Sequence, residues 1–218
     1  MGLAIRDLGV SAYTPVLELQ EELVARKIAG GSGDYLLLVE HEPVYTLGRG
    51  ADAAELLGAD ELLGVPAVRV SRGGGVTFHG PGQLVAYPIL TLGHGGRDVH
   101  RYVRNLESVL IAVCADFGLA ARRRDGITGV WVGEAKIASI GVGVRRWTTF
   151  HGIALNVSTD LKFFSRIVPC RMPGVRMTSM AIELGVAPPM AAIKIAFVRA
   201  FVRHFGHAID SGVVEQSA

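Results

Sequence analysis

Cysteine is scarce in this 218-residue chain, with two residues, Cys114 and Cys170. Two distant thiols make neither a disulfide-dense secreted scaffold nor a Cys-x-x-Cys site. Long apolar runs are missing too, since none approaches the roughly 20 residues that span a bilayer. The opening segment has no basic stretch followed by an apolar one, so no signal peptide is expected. Arg6 stands where a myristoylation motif needs Ser or Thr. Charge of one sign is absent: 22 Lys and Arg against 20 Asp and Glu leave +2, with no general pull toward nucleic acid. The 28 Gly and 9 Pro follow no fixed period, which excludes collagen-like and low-complexity classes. The expectation is a cytoplasmic protein with reduced thiols, no membrane and no nucleic-acid partner.

Half of the residues are hydrophobic and 19% are charged, enough apolar matter for a sizeable core. Residues 14–28 place Val16, Leu17, Leu19, Leu23 and Ile28 near one helical stripe. The run 35–40 reads as a buried strand, and 44–47 as its continuation. Residues 51–64 read as loop and short helix, and 67–71 as a strand feeding the glycines at 73–75. Strands follow at 76–78 and 83–88 around a turn at 79–82. The strongest helix is 99–117, with Val103, Leu106, Leu110, Val113, Cys114 and Phe117 on one face. Strands are predicted near 127–132, 135–144 and 149–157, then short helices or loops over 159–186, and a helix over 188–205. The last ten or so residues read as loose. No linker or repeat divides the chain, so a single α/β (α+β) domain over 1–218, a mixed sheet flanked by helices, is expected.

Four lysines stand among 18 arginines, at positions 27, 136, 162 and 194. Arg cannot release its proton near neutral pH and Lys can, so a lysine in an apolar strand draws notice. Lys136 opens such a strand, where strict alternation gives it one face with Ala138, Ile140, Val142 and Val144. It is either a strand-end side chain reaching solvent or a buried amine beside an anion. Cys114 falls on a helix stripe and reads as core. Cys170 lies in a Pro- and Gly-punctuated loop between Arg166 and Arg171, which favour a thiolate. Arg72-Gly73-Gly74-Gly75 is neither a P-loop nor a dinucleotide fingerprint, and it reads as tight turns or a backbone cradle for a ligand. His79 in a Gly-Pro-Gly turn is a candidate polar contact, and His151 could line a cleft. His41-Glu42-Pro43 lacks the helical spacing of a zinc motif. Arg122, Arg123 and Arg124 read as a solvated cluster or a dock for an acidic partner.

Five ordered segments carry a resemblance: His41–Arg49, Arg72–Gln83, Gly133–Val142, His151–Asn156 and Ile167–Cys170. Together they resemble the lipoate-biosynthesis octanoyltransferases (octanoyl-acyl-carrier-protein:protein N-octanoyltransferases). The resemblance implies a biotin/lipoate protein ligase-like fold. It implies transfer of an octanoyl or lipoyl group from acyl-carrier protein to a lysine of lipoyl-domain proteins, through a thioester on Cys170 whose pKa Lys136 lowers. It implies no cofactor and no metal. Substrate-binding stretches are implied at Arg72, Gly73, Gly74, Gly75, Val76, Thr77, Phe78 and His79, at Ser139, Ile140 and Gly141, and at Gly152, Ile153 and Ala154. Gly75, Phe78, Gly143 and Arg171-Met172-Pro173 depart from the usual family residues. An ATP-dependent lipoate or biotin ligase, a Cys hydrolase using His79 or His151, and an inactive acyl-carrier-binding relative remain as alternatives.

Overall fold

A computed structural model describes residues 2–52, 55–56, 64–93, 97–168 and 174–216, with backbone alone for 209–216. β1 (Gly2–Ser11), α1 (Tyr13–Ile28) and β2 (Asp34–His41) form a parallel β-α-β unit. β3 (Val44–Leu47), β4 (Ala67–Arg69) and β5 (Val76–His79) make a small separate sheet, ordered β4-β3-β5. β6 (Gln83–Ile89), α2 (Val99–Asp116), β7 (Ala121–Arg124), β8 (Ile127–Val132), β9 (Ala135–Arg145) and β10 (Thr148–Asn156) follow. A 3-10 turn at Leu161–Arg166, α3 (Met180–Leu184), α4 (Met190–Phe205) and β11 (Ala208–Gln216) complete the chain. The main sheet is mixed, in the order β11-β1-β2-β6-β10-β9-β8-β7.

The sheet is covered on both faces. Leu36 and Leu38 of β2 point to α2 and α4, packing with Leu106, Leu110, Phe197 and Phe201. The intervening Leu37 and Val39 point to α1, packing with Val16, Leu23 and Val24. A third cluster joins the small sheet to the 3-10 turn through Tyr45, Phe78, Phe164 and Ile167. Asp98 caps α2 by accepting from the Arg101 N–H at 3.0 Å. Gly206 ends α4 in the left-handed conformation, its N–H returning to the Val202 carbonyl.

Three elements differ from the sequence expectation. The opening segment is strand β1, and the arginine triplet is edge strand β7. The tail expected to be loose runs as β11, parallel to β1.

Candidate active site

The glycine-rich loop is shaped by its own arginine. Arg72 donates to the carbonyls of Gly73 and Gly75, at 3.0 and 2.9 Å, and to the Thr46 carbonyl and hydroxyl, at 2.6 and 2.8 Å. The guanidinium therefore staples the loop to β3. Gly48 permits this closeness, since a Cβ there would lie 2.3 Å from the Gly74 carbonyl. Gly73 N–H then reaches Val142 in β9 at 2.9 Å, bringing the loop onto the main sheet.

The two short predicted stretches are one patch. Ser139, Ile140 and Gly141 of β9 pair directly with Ala154, Ile153 and Gly152 of β10. With Arg72, Gly73, Gly74, Thr77 and His79 they line a slot that Tyr13, Val85, Tyr87 and His151 complete. Gly75, Val76 and Phe78 do not line it. Val76 and Phe78 pack in the small-sheet core, and Gly75 faces Glu55, whose Oε2 would lie 2.3 Å from an added Cβ. Sequence reasoning missed Tyr13, Val85 and Tyr87, because nothing local distinguishes a slot-lining strand residue from a core one.

Burial keeps the slot's imidazoles neutral. It lowers His41 to about 4 and His79 to about 3, where neighbouring His41 adds to the effect. His151 falls to about 3, through burial and then the Arg72 charge. His41 Nδ1 donates to the Ser11 carbonyl at 3.0 Å, which leaves Nε2 to accept from the Tyr87 hydroxyl at 2.8 Å. Tyr13, hydrogen-bonded to Tyr87, is pushed up to about 12 by burial. His79 Nδ1 meets Gln83 Oε1 at 2.7 Å, and Gln83 Nε2 donates to Asn156 Oδ1 at 2.9 Å. Asn156 continues to the Thr178 carbonyl at 3.0 Å, and Thr178 N–H bonds the Lys136 carbonyl at 2.9 Å. A polar chain thus runs from the slot to the backbone of Lys136.

Lys136 does not reach solvent; it is 2% exposed. It also does not share a face with Ala138. The β8–β9 register pairs Val130 with Ala138 but Trp131 with Lys136, so Ile137 is an extra residue. Ile137, Ala138 and Val130 face the helix-side core. Lys136 shares the opposite face with Trp131, the face of Ser139 and Gly141. Its Nζ lies 5.7 Å from the Trp131 ring centre. The backbone beside it belongs to 176–178: Lys136 N–H donates to the Arg176 carbonyl at 2.8 Å. Cys170 lies outside the described residues, as do Arg171, Met172 and Pro173. The described flank before them is fixed, with Val168 N–H on the Glu55 carbonyl at 2.8 Å.

The remaining candidates separate cleanly. Cys114 is in the core, and burial pushes its thiol up to about 12. The arginine triplet is paired, Arg122 and Arg124 with Glu134 and Arg123 with Glu107. Among the described residues no three His, Cys, Asp or Glu side chains gather to hold a metal ion, and no helix is long and apolar enough to cross a membrane.

Residues 12–202 match the family described as the lipoyl protein ligase A/B catalytic domain. An octanoyltransferase from Citrifermentans bemidjiense is 53% identical over 183 residues, 84% of this chain and 87% of that protein. One from Gloeobacter violaceus is 45% identical over 95% of this chain and 92% of its own. Among solved structures, an ATP-bound lipoate-protein ligase A superposes with TM-score 0.82 at 19% identity, over 99% of this chain and 90% of that one. The biotin protein ligase of Aquifex aeolicus superposes with TM-score 0.56 at 14% identity, covering 94% and 70%. The fold is thus that of the lipoate and biotin protein ligases, and the chain belongs to the octanoyltransferases within the lipoyl protein ligase A/B catalytic-domain family.

Proposed function

We propose that this protein transfers an octanoyl group from octanoyl-acyl-carrier protein to a lysine of lipoyl-domain acceptor proteins, by way of a thioester on Cys170. The observation that carries the reading is the β9 bulge, which puts the buried Lys136 amine on the slot face, beside the chain that returns from the Cys170 segment. The octanoyltransferase relatives support the same acyl group.

In this reading Lys136 and Cys170 share one proton as an ammonium–thiolate pair. The thiolate attacks the carrier thioester carbonyl. The carrier's sulfur leaves with the Lys136 proton, so Lys136 becomes a neutral amine. The acceptor lysine then attacks the acyl-enzyme, its excess proton passes to Lys136, and the Cys170 thiolate is released. Thioester exchange is close to balanced, so no ATP is spent. Val85, Ile140, Ile153 and Ala154 give the slot apolar walls. Burying the seven chain carbons there contributes about 5 kcal/mol. A histidine-based hydrolase is disfavoured, since imidazoles held near 3 are weak bases at neutral pH.

The test is intact-mass and peptide mass spectrometry after incubation with octanoyl-acyl-carrier protein without ATP. One octanoyl mass on Cys170 is expected, discharged by a lipoyl domain. Cys170→Ser abolishes it, and Lys136→Met lowers transfer roughly a thousandfold while leaving the unfolding midpoint near wild type. An adduct on Cys114, full activity in Cys170→Ser, or an ATP requirement overturns the reading.

A further inference from the structure

Glu107 of α2 has no exposed surface, and the acyl-transfer steps above make no use of it. Its Oε2 takes the Arg104 and Arg123 guanidiniums at 2.8 and 2.9 Å. Its Oε1 accepts the backbone N–H of Gly129 at 3.1 Å. The carboxylate is therefore clamped from three sides, and one of its three donors is the backbone of β8.

Gly129 lies against Lys136. A Cβ at 129 would sit 2.6 Å from Lys136 Cε, 3.2 Å from Nζ and 2.8 Å from the Ala138 carbonyl. Its φ of +129° also demands glycine. The amine end of Lys136 thus rests on a bare backbone, with the Trp131 ring beside it. The carboxylate acts from the helix side of the sheet and the lysine lies on the slot side.

We propose that Glu107 is a positioning residue: by holding Gly129 it sets where the Lys136 amine stands on the slot face of the sheet. This rests on the acyl-transfer reading of Lys136. The role needs reach as well as charge: one oxygen must meet the Gly129 N–H at the right distance while the other accepts from Arg104 and Arg123. Asp at 107 keeps the charge and withdraws the oxygen by a methylene. Gln keeps one acceptor oxygen but sets its Nε2 donor against the Arg104 and Arg123 guanidiniums.

The experiment measures steady-state kcat and KM for octanoyl-acyl-carrier protein, with a lipoyl domain as acceptor, in wild type, Glu107→Gln, Glu107→Asp, Gly129→Ala and Lys136→Met. Glu107→Asp is expected to lose about tenfold or more in kcat, as a displacement of about 1 Å at a reacting group does, with KM within about twofold. Glu107→Gln and Gly129→Ala fall as Glu107→Asp does, each again in kcat rather than KM. Equal kcat in wild type and Glu107→Asp overturns the proposal, as does a Glu107→Asp loss that falls in KM rather than in kcat. Should Gly129→Ala not fold, the kcat-against-KM split of Glu107→Asp decides alone. Lys136→Met at wild-type rate would instead sink the acyl-transfer reading, whereas an inactive Lys136→Met beside a fully active Glu107→Asp sinks only the role of Glu107.

Discussion

Arg72 shows how one side chain can shape a loop and line a slot at once. Its guanidinium donates to the carbonyls of Thr46, Gly73 and Gly75 while the residue also lines the slot. Arg72→Met leaves those buried acceptors without donors. We expect a loss of about 3 kcal/mol in urea unfolding, with Arg72→Lys intermediate because it lacks the planar fork. The role was hidden in the sequence because Thr46 lies on another strand. The departures at Gly75 and Gly143 have equally local causes. An added Cβ would meet Glu55 Oε2 at 2.3 Å in the first case and the Phe150 ring at 2.5 Å in the second. Lysine scarcity marks Lys136 as an oddity, and of the two readings open for it the structure shows the buried one. Its orientation was not legible, since a bulge leaves no mark in the alternation of β9.

Among the elements, the β1–α1–β2 unit is fastened at its crossover end. Asp34 opens β2 and bonds Lys27 of α1 at 2.7 Å and His207 at 2.8 Å. Burial alone would raise the Asp34 pKa, but hydrogen bonds from His207 and Lys27 outweigh it and lower the value below 3.8. A carboxylate with a depressed native pKa stabilises the fold above its unfolded pKa and loses that contribution as pH falls through the native one. Asp34→Asn is therefore expected to cost about 3 kcal/mol at pH 7, and the gap to wild type should close below about pH 4. A gap independent of pH, in denaturant titrations, would contradict this. The helices and buried strands were legible, since apolar periodicity marks α2 and a continuous apolar run marks β2. β1 and β7 were not. β1 is a ten-residue strand whose apolar positions are broken by Arg6, Asp7 and Gly9, and β7 is a short edge strand whose charges are balanced by Glu107 and Glu134 from other elements.

Across the whole molecule, three buried histidines make acid the weak side of the stability curve. His41, His79 and His151 stand at about 4, 3 and 3, against 6.5 when unfolded. The unfolded chain binds more protons in that window, so stability is full above pH 6.5 and falls toward pH 4. Each histidine contributes up to about 1.4 kcal/mol per pH unit, so unfolding at pH 5 should need far less urea than at pH 7. Equal midpoints would refute the neutral-imidazole slot. The ligase-like fold was legible from five ordered motifs, and the slot they build needed the pairing of β9 with β10 to become one surface. The surplus residue at Ile137 decides sidedness. Were it seated as an ordinary rung opposite Trp131 instead of as a bulge, the amine would swing toward the oily layer under α2 and leave the fold with a vacant reaction chamber. How one amino acid is seated in an interior strand thus separates a chain that merely folds from one that turns over.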